Sequence, residues 1–498
     1  MKDTVMLISF YNPKALGLKY IENALTLANY SVVTVYFKGF NSVNPKEATE
    51  TEFNHLKSLI SEIKPVAIGF SVMTSLYLEA VFSVNQLIKN NFDIPIIWGG
   101  VYATMFWEEA MDHANFVIRG EGEEAFVELV NEIMSGTNNY SPIQNLVYRS
   151  ENSVRQNDLR ELLTDLDKYG DIVIGGNKYI IDDDLIKNVD PMVGSYSYEL
   201  SASRGCQFAC SYCCAITLKR ITAGKGKFVR IREVDSVINE LVNAKKTMKN
   251  LKFIRFWDEI FCDQEDWVDE FVSRYKKEIN LPFEIWGHPL RCKEETITKL
   301  RKVGLYKVVM GIQSGSPYIR RQIFNRTEKQ EDIIAASKVL AKAKVPQVIY
   351  DFMLRHPFET LETLRETYEL CLELAQPFEL QLHGLNFLPG TDIVQKAIDM
   401  QLVTESDMQK LMYAPMKEQY NIYWQNDNKN EDMNYIYNLI YLTQFPSLRK
   451  SLKKLSIDEP TDKNRASLAN LRKVGGYMAR CRYLYKKGII VLKGTKAF

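Results

Sequence analysis

The sequence predicts an α/β protein in which a doubly wound, Rossmann-like sheet precedes an open, partial β/α barrel and a helical C-terminal region. Three observations predict it. Short β-branched apolar runs alternate with helical patterns up to about residue 135, the same rhythm resumes near residue 196, and it stops near residue 395. These breaks divide the chain into residues 1–140, a linker at 141–195, the barrel at 196–395 and a tail at 396–498.

In the first domain "VMLISF" (5–10), "SVVTVYF" (31–37), "PVAIGFS" (65–71), "PIIWGG" (95–100) and "FVIRG" (116–120) read as buried strands. Segments such as "LGLKYIENALTLANY" repeat apolar residues at helical spacing between them. Such an alternation implies a parallel sheet, and ligands on parallel sheets sit beyond the carboxyl ends of the strands, where the strand order reverses. The residues expected there are "YNPKALG", "SVMTS", "GGVYAT" and "RGEGEE". No G-x-G-x-x-G follows the first strand and no phosphate-binding P-loop occurs, which argues against a dinucleotide. Small residues after successive strands suit a broad, flat ligand that approaches the backbone.

Residues 141–195 are polar and read as a linker with a small hairpin. Beyond them "YELSAS" (198–203), "FIRFWDE" (253–259), "FEIWGHP" (283–289), "KVVMGIQS" (307–314), "QVIYDFML" (347–354) and "FELQLHGLNFL" (378–388) give six βα units, with chemistry expected at the strands' C-terminal ends. The tail carries aromatic patches, "EQYNIYWQND" and "MNYIYNLIYLTQF", expected to be core. Between Leu448 and Phe498 there are 14 Lys and Arg against 3 Asp and Glu, a local net of +11. That run is either a solvated helical face or a surface that steers an anionic substrate or rests on acidic lipid headgroups.

Composition narrows the function. With 46% apolar and 25% charged residues the chain can bury sizeable cores, and a formal charge of +1 argues against a nucleic-acid binder. No run reaches the ~18–20 apolar residues of a membrane span. The N-terminus lacks a cleavage site after its apolar run, so a cytoplasmic, reducing setting is expected. There, clustered cysteines are metal ligands or catalytic groups more often than disulfides.

The cluster is "SRGCQFACSYC", which sets Cys206, Cys210 and Cys213 in one loop just after the first barrel strand. Three thiolates can each ligate one iron of a [4Fe–4S] cluster and leave the fourth iron open. Structural zinc wants a fourth ligand, usually from a second CxxC knuckle, and none appears. Cys214 and the scattered Cys262, Cys292, Cys371 and Cys481 read as small core residues.

CxxxCxxC with Tyr212 before its last cysteine, behind a doubly wound domain, resembles the cobalamin-binding radical SAM enzymes, the class B methylases. "RGEGE", "FWDEIFC", "VVMGIQSGS", "DFMLRHPFET" and "FLPGTD" follow in the family's order, and the resemblance spans about residues 1–395. It implies that Cys206, Cys210 and Cys213 hold the [4Fe–4S] cluster and that S-adenosyl-L-methionine (SAM) chelates its open iron. Tyr212, Asp258, Glu259, Gln313 and Ser314 would contact SAM, although many relatives carry Glu at the position of Gln313. Arg355 stands where relatives often carry Gly. Leu16, Gly17, Ser71, Thr74, Gly99, Gly100, Val101, Glu121 and Gly122 would contact cobalamin. No D-x-H-x-x-G motif occurs, and the first histidine is His55, so cobalamin is expected without a histidine lower ligand.

The implied reaction is SAM cleavage to a 5′-deoxyadenosyl radical, followed by cobalamin-dependent methyl transfer to an unactivated carbon. The substrate would be a small molecule or peptide and the reductant a flavodoxin- or ferredoxin-type protein. Alternatives are rearrangement, cyclisation or ring contraction on the same scaffold, an iron–sulfur electron carrier, and a zinc-stabilised cobalamin-binding module. His356 and His383 lie near strand ends and Asp351 within a strand; with His288 and Arg291 they read first as structural.

Overall fold

The computed structural model describes residues 3–39, 46–151, 153–170, 172–419, 430–457 and 460–492. The first sheet contains β1 (Thr4–Phe10), β2 (Ser31–Phe37), β3 (Ala67–Ser71), β4 (Ile96–Gly99), β5 (Phe116–Ile118), β6 (Leu146–Ser150), β7 (Ser153–Gln156), β8 (Lys178–Asp182) and β9 (Leu185–Asn188). Its order is β7-β6-β5-β4-β3-β1-β2-β8-β9, so the order reverses at β1. Strands β1 to β5 are parallel neighbours, as the alternation predicts.

Both faces of this sheet are covered. Met6, Ile8 and Phe10 pack with Phe70 and Trp98 on one side, while Val5 and Leu7 pack with Leu25, Phe126 and Leu129 on the other. Alternate residues of one strand thus enter two separate cores, which requires an unbroken apolar run.

Residues 141–195 do more than link. Their two hairpins, β6–β7 and β8–β9, extend the first sheet at both of its edges, with β8 running parallel to β2. All residues of β7 and β9 are exposed, so these strands lack the hydrophobic alternation that marks a strand in a sequence.

A second sheet follows, made of β10 (Ser197–Leu200), β13 (Phe253–Phe256), β14 (Phe283–Gly287), β15 (Leu305–Gln313), β16 (Gln347–Met353) and β17 (Glu379–His383). These six strands are parallel and adjacent in chain order, an open arc of a barrel. Between β10 and β13, β11 (Ser203–Arg204) and β12 (Arg230–Ile231) form a short antiparallel ladder that bounds the cysteine loop.

Strand residues Tyr198, Ile254, Phe283 and Tyr350 share one core with the covering helices and with Tyr435, Ile436, Leu439 and Leu468 of the tail. The patch "MNYIYNLIYLTQF" is therefore core, as expected, whereas residues 420–427 of the other patch lie outside the described residues. The helix Asp462–Leu492 packs through Leu468, Leu471, Gly475 and Met478, and it leaves Lys473, Tyr477, Arg480 and Tyr485 exposed. No helix among the described residues is long and apolar enough to cross a membrane.

Candidate active site

The cysteine loop is held from its first residue. Asp258, just past β13, accepts hydrogen bonds from the Ala202 N–H at 3.2 Å and from the Ser203 hydroxyl. Gly205 has φ +87°, and a Cβ there would lie 2.2 Å from the Phe228 carbonyl oxygen, so only glycine allows the turn into Cys206. The Cys213 N–H bonds the Cys210 carbonyl at 3.1 Å, a turn that draws these two cysteines together. Cys213 also caps the helix Cys214–Ile221, its Sγ accepting from the Ala215 N–H at 3.5 Å. A helix N-terminus favours negative charge, here a thiolate.

In the protein alone these thiols resist ionisation. Burial pushes Cys206 up to about 11 and raises Cys210. Cys213 is raised first by a hydrogen bond shared with Cys214 and then by burial. Removing a thiolate from water is costly unless a cation compensates.

Above this loop lies a cavity of about 570 Å³ between the two sheets. Its floor is the carboxyl edge of the first sheet, with Gly17, Ser71, Gly99, Gly100 and Gly122. Its roof carries Cys213, Cys214, Trp257 and Glu259 from the barrel. A methyl group added at Gly17 would meet nothing within 4 Å, and one at Gly99 nothing nearer than 4.0 Å. Gly100 is required for another reason: with φ +103°, a Cβ would lie 2.6 Å from the Val72 carbonyl oxygen.

Ion pairs between the domains clamp one wall. Glu121, at the end of the first sheet, pairs with Arg204 at 3.0 Å and Arg230 at 2.9 Å, and Arg204 also reaches Glu123 at 2.6 Å. Burial alone would raise the Glu121 pKa, but Arg230 and Arg204 outweigh it and hold the carboxyl below its ordinary value. Lys14 crosses from the first domain to Glu199 on β10, 2.6 Å away.

Two family models match the chain: B12 binding domain over residues 5–130 and Radical SAM superfamily over residues 200–371. The chain carries a radical SAM domain and a B12-binding domain. An uncharacterized methyltransferase of Pyrococcus horikoshii is 25% identical over 374 residues, covering 73% of this chain and 76% of the relative. The methyltransferase TsrM of Kitasatospora setae, solved with tryptophan and a SAM analogue, superposes with a TM-score of 0.64 at 16% identity, over 80% of this chain and 76% of TsrM. OxsB, a cobalamin-dependent SAM radical enzyme solved with aqua-cobalamin and SAM, superposes with a TM-score of 0.65 at 14% identity, over 99% of this chain and 76% of OxsB. At these identities the structural likeness is one of fold.

The residues present fit the groups that the radical SAM and B12-binding domains imply. Cys206, Cys210 and Cys213 are free thiols on one loop, each half-buried. Among the described residues no three His, Cys, Asp or Glu side chains converge as they would on a single ion. A cube that offers each sulfur its own iron does not need them to converge. The open glycine floor admits a flat macrocycle against the backbone.

Most of the expected floor residues line the cavity: Gly17, Ser71, Gly99, Gly100, Val101, Glu121 and Gly122. Leu16 and Thr74 do not line it; Thr74 instead caps the turn Ser75–Tyr77, accepting from the Leu76 N–H. Met73 and Thr104, within the expected stretches "SVMTS" and "GGVYAT", also border the cavity, as does Gly69 on β3.

On the barrel side Glu259 faces the cavity and burial raises its carboxyl pKa. Asp258 faces away, its carboxyl pushed up to about 6 by burial and committed to the loop backbone. Tyr212 turns its ring from the cavity into a cluster with Phe324. Gln313 has φ +70° and is buried with Oε1 unpartnered, and Ser314 accepts from the Ser316 N–H at 3.1 Å.

Arg355 has φ +60°, which explains why glycine suits that position, and its guanidinium lies 5.3 Å from the Tyr437 ring centroid. The His383 ring nitrogens face the Gly384 carbonyl at 3.0 Å and the Asp351 carboxylate at 3.0 Å. Two acceptors call for two protons, and Asp351 raises the His383 pKa against the desolvation that would lower it. Cys214 lines the cavity and Cys481 is exposed, so neither is the core residue expected; Cys262 and Cys371 are buried.

Proposed function

We propose that this chain is a cobalamin-dependent radical SAM methyltransferase acting on an unactivated carbon of a small molecule. The observation that carries this reading is the shared cavity: one space touches both the glycine floor of the B12-binding domain and the cysteine loop. The methyltransferase relative and the tryptophan bound to TsrM support the reaction class and the size of substrate.

Cys206, Cys210 and Cys213 would hold a [4Fe–4S] cluster, and the glycine floor would hold cobalamin without a histidine lower ligand. When bound, these groups supply reductive cleavage of SAM and a transferable methyl group. The protein's own part is to position and to exclude water. Glu259 presents a carboxyl to the cavity, suited to receive the ammonium group of SAM. Leu162, Leu166, Phe228 and Trp257 wall the space with apolar surface, which shields a reactive radical from solvent. Electrons would come from an external flavodoxin- or ferredoxin-type donor.

The test is anaerobic reconstitution with iron, sulfide and cobalamin, followed by a visible spectrum and incubation with methyl-labelled SAM under reduction. The reading requires about four irons per chain, bound cobalamin, 5′-deoxyadenosine, and label in the product. Iron without cobalamin, or 5′-deoxyadenosine with no label transferred, favours the rearrangement reading. No iron at all overturns both.

A further inference from the structure

The segment Ile323 to Glu328, between β15 and β16, braces the cysteine loop. The Ser211 hydroxyl donates to the Ile323 carbonyl at 2.6 Å, and the Ser211 N–H donates to the Phe324 carbonyl at 3.0 Å. The Asn325 amide donates to the Ala209 carbonyl at 2.7 Å. Arg326 then spends its guanidinium on three acceptors: the Tyr212 hydroxyl at 2.9 Å, the Gly311 carbonyl at 2.8 Å and the Glu328 carboxylate at 2.5 Å. Glu328 Oε2 lies 3.5 Å from His288 Nε2, and the His288 ring stacks on Phe208 at 3.8 Å. Since His288 Nδ1 accepts from the Leu290 N–H, the neutral ring carries its proton on Nε2, toward Glu328.

A buried arginine under a loop could be scaffolding alone. Two features say more. Arg326 is 5% exposed and Glu328 0%, so the charges act in a medium that screens them weakly. A second buried guanidinium, Arg320, donates to the Ser314 carbonyl and lies within Coulombic reach of Arg326, Arg321, Glu328 and Glu366, which leaves three cations against two carboxylates there. The Tyr212 hydroxyl has one lone pair engaged by Arg326 and keeps its own proton to donate, and Cys210 lies two positions before it in the same loop, within electrostatic reach of both groups. Hydrogen bonds to cluster sulfurs and nearby positive charge favour the reduced, more negative state.

We infer that Arg326, acting through the Tyr212 hydroxyl on Cys210, is a positioning residue that raises the reduction potential of the cluster. This rests on the assignment of the three cysteines to a cluster and assigns the neighbouring residues a role in its energetics. It separates Tyr212 into two parts: a backbone that follows the loop and a hydroxyl that tunes one ligand.

The experiment is a potentiometric titration of the reconstituted cluster, followed by electron paramagnetic resonance without SAM, on Tyr212→Phe, Arg326→Gln, the double variant and Asn325→Gly. Tyr212→Phe should keep its iron and lower the potential by at least the tenfold change in reduction equilibrium that equals about 59 mV for one electron. The double variant should shift no further than the larger single shift, because one residue acts through the other. Asn325→Gly keeps the backbone freedom that its φ of +53° needs and removes only the brace to Ala209, so the potential should hold. An unchanged potential in Tyr212→Phe overturns the inference, as does an equal shift in Asn325→Gly, which would trace the effect to loop slackening. If Arg326→Gln fails to fold, Tyr212→Phe and Asn325→Gly still decide. A wild-type chain that binds no iron instead defeats the cluster assignment itself.

Discussion

Replacing Gly17 with leucine should separate folding from cofactor binding. Gly17 is the second residue of the helix Leu16–Leu27, its φ is not in the left-handed region, and nothing lies within 4 Å of an added Cβ. Leucine is a better helix former than glycine by ~0.8 kcal/mol in a helix interior; near the N-terminus about 0.5 kcal/mol is a fair expectation. The cofactor-free protein should therefore melt no lower than wild type. The new side chain enters the cavity floor, where its four carbons compete with a bound macrocycle. Forcing extra methylenes into a filled space costs about 1–3 kcal/mol, which weakens binding roughly 5- to 150-fold. Gly17→Ala should fall between. The assay is a cobalamin titration by absorbance beside a thermal melt of the cofactor-free protein. Wild-type affinity in Gly17→Leu with an unchanged melt would refute the assignment of this floor.

Three further outcomes follow from the geometry. Replacing Cys206, Cys210 and Cys213 together with alanine should abolish iron in an elemental assay yet leave cobalamin binding within about twofold, because the floor is built by other strands. Glu121→Gln should cost about 1–3 kcal/mol at pH 7 through loss of the Arg204 and Arg230 pairs. Its folded pKa is lowered, so that contribution exists above the ordinary carboxylate range and vanishes as pH falls through the lowered value; the gap between the two melting curves should close below pH about 4. Glu359 behaves in the opposite sense, since burial pushes it up to about 7 despite hydrogen bonds from Tyr437 and the Arg355 N–H. The fold holds a proton there, so stability is greatest below its ordinary value and falls as pH rises toward 7. Glu359→Gln should match wild type near pH 4.5 and exceed it at pH 8 by up to an order of 3 kcal/mol in denaturant melts.

How much was legible in the sequence follows from what each feature depends on. The central strands are visible because burial on both faces demands long runs such as "VMLISF", and the cysteine loop because ligand spacing is local. The outermost strands, β7 and β9, hide because strands exposed on every residue carry no hydrophobic signal. Asp258 and Glu259 show a second limit: neighbouring acids point opposite ways, and only the strand's rotation decides which faces the cavity. The same one-residue ambiguity separates Thr74, which caps a turn, from Met73, which borders the floor. The brace at 323–328 left no trace at all, because Arg326 and Tyr212 meet across 114 positions of chain with no motif between them.

Among the described residues between β7 and β8, residues 157–170 and 172–177 form no strand, and they are sewn to both halves of the molecule. Leu162 N–H bonds the Lys225 carbonyl at 2.7 Å, Arg230 bonds the Leu163 carbonyl at 2.9 Å, Asp167 takes Arg232 at 2.8 Å, and the Tyr169 carbonyl takes Asn23 at 2.8 Å. With this seam along one wall, the two halves do not scissor apart there without breaking it. A bulky ligand would therefore be exchanged through another side of the cavity, and its release would be governed there rather than at this wall.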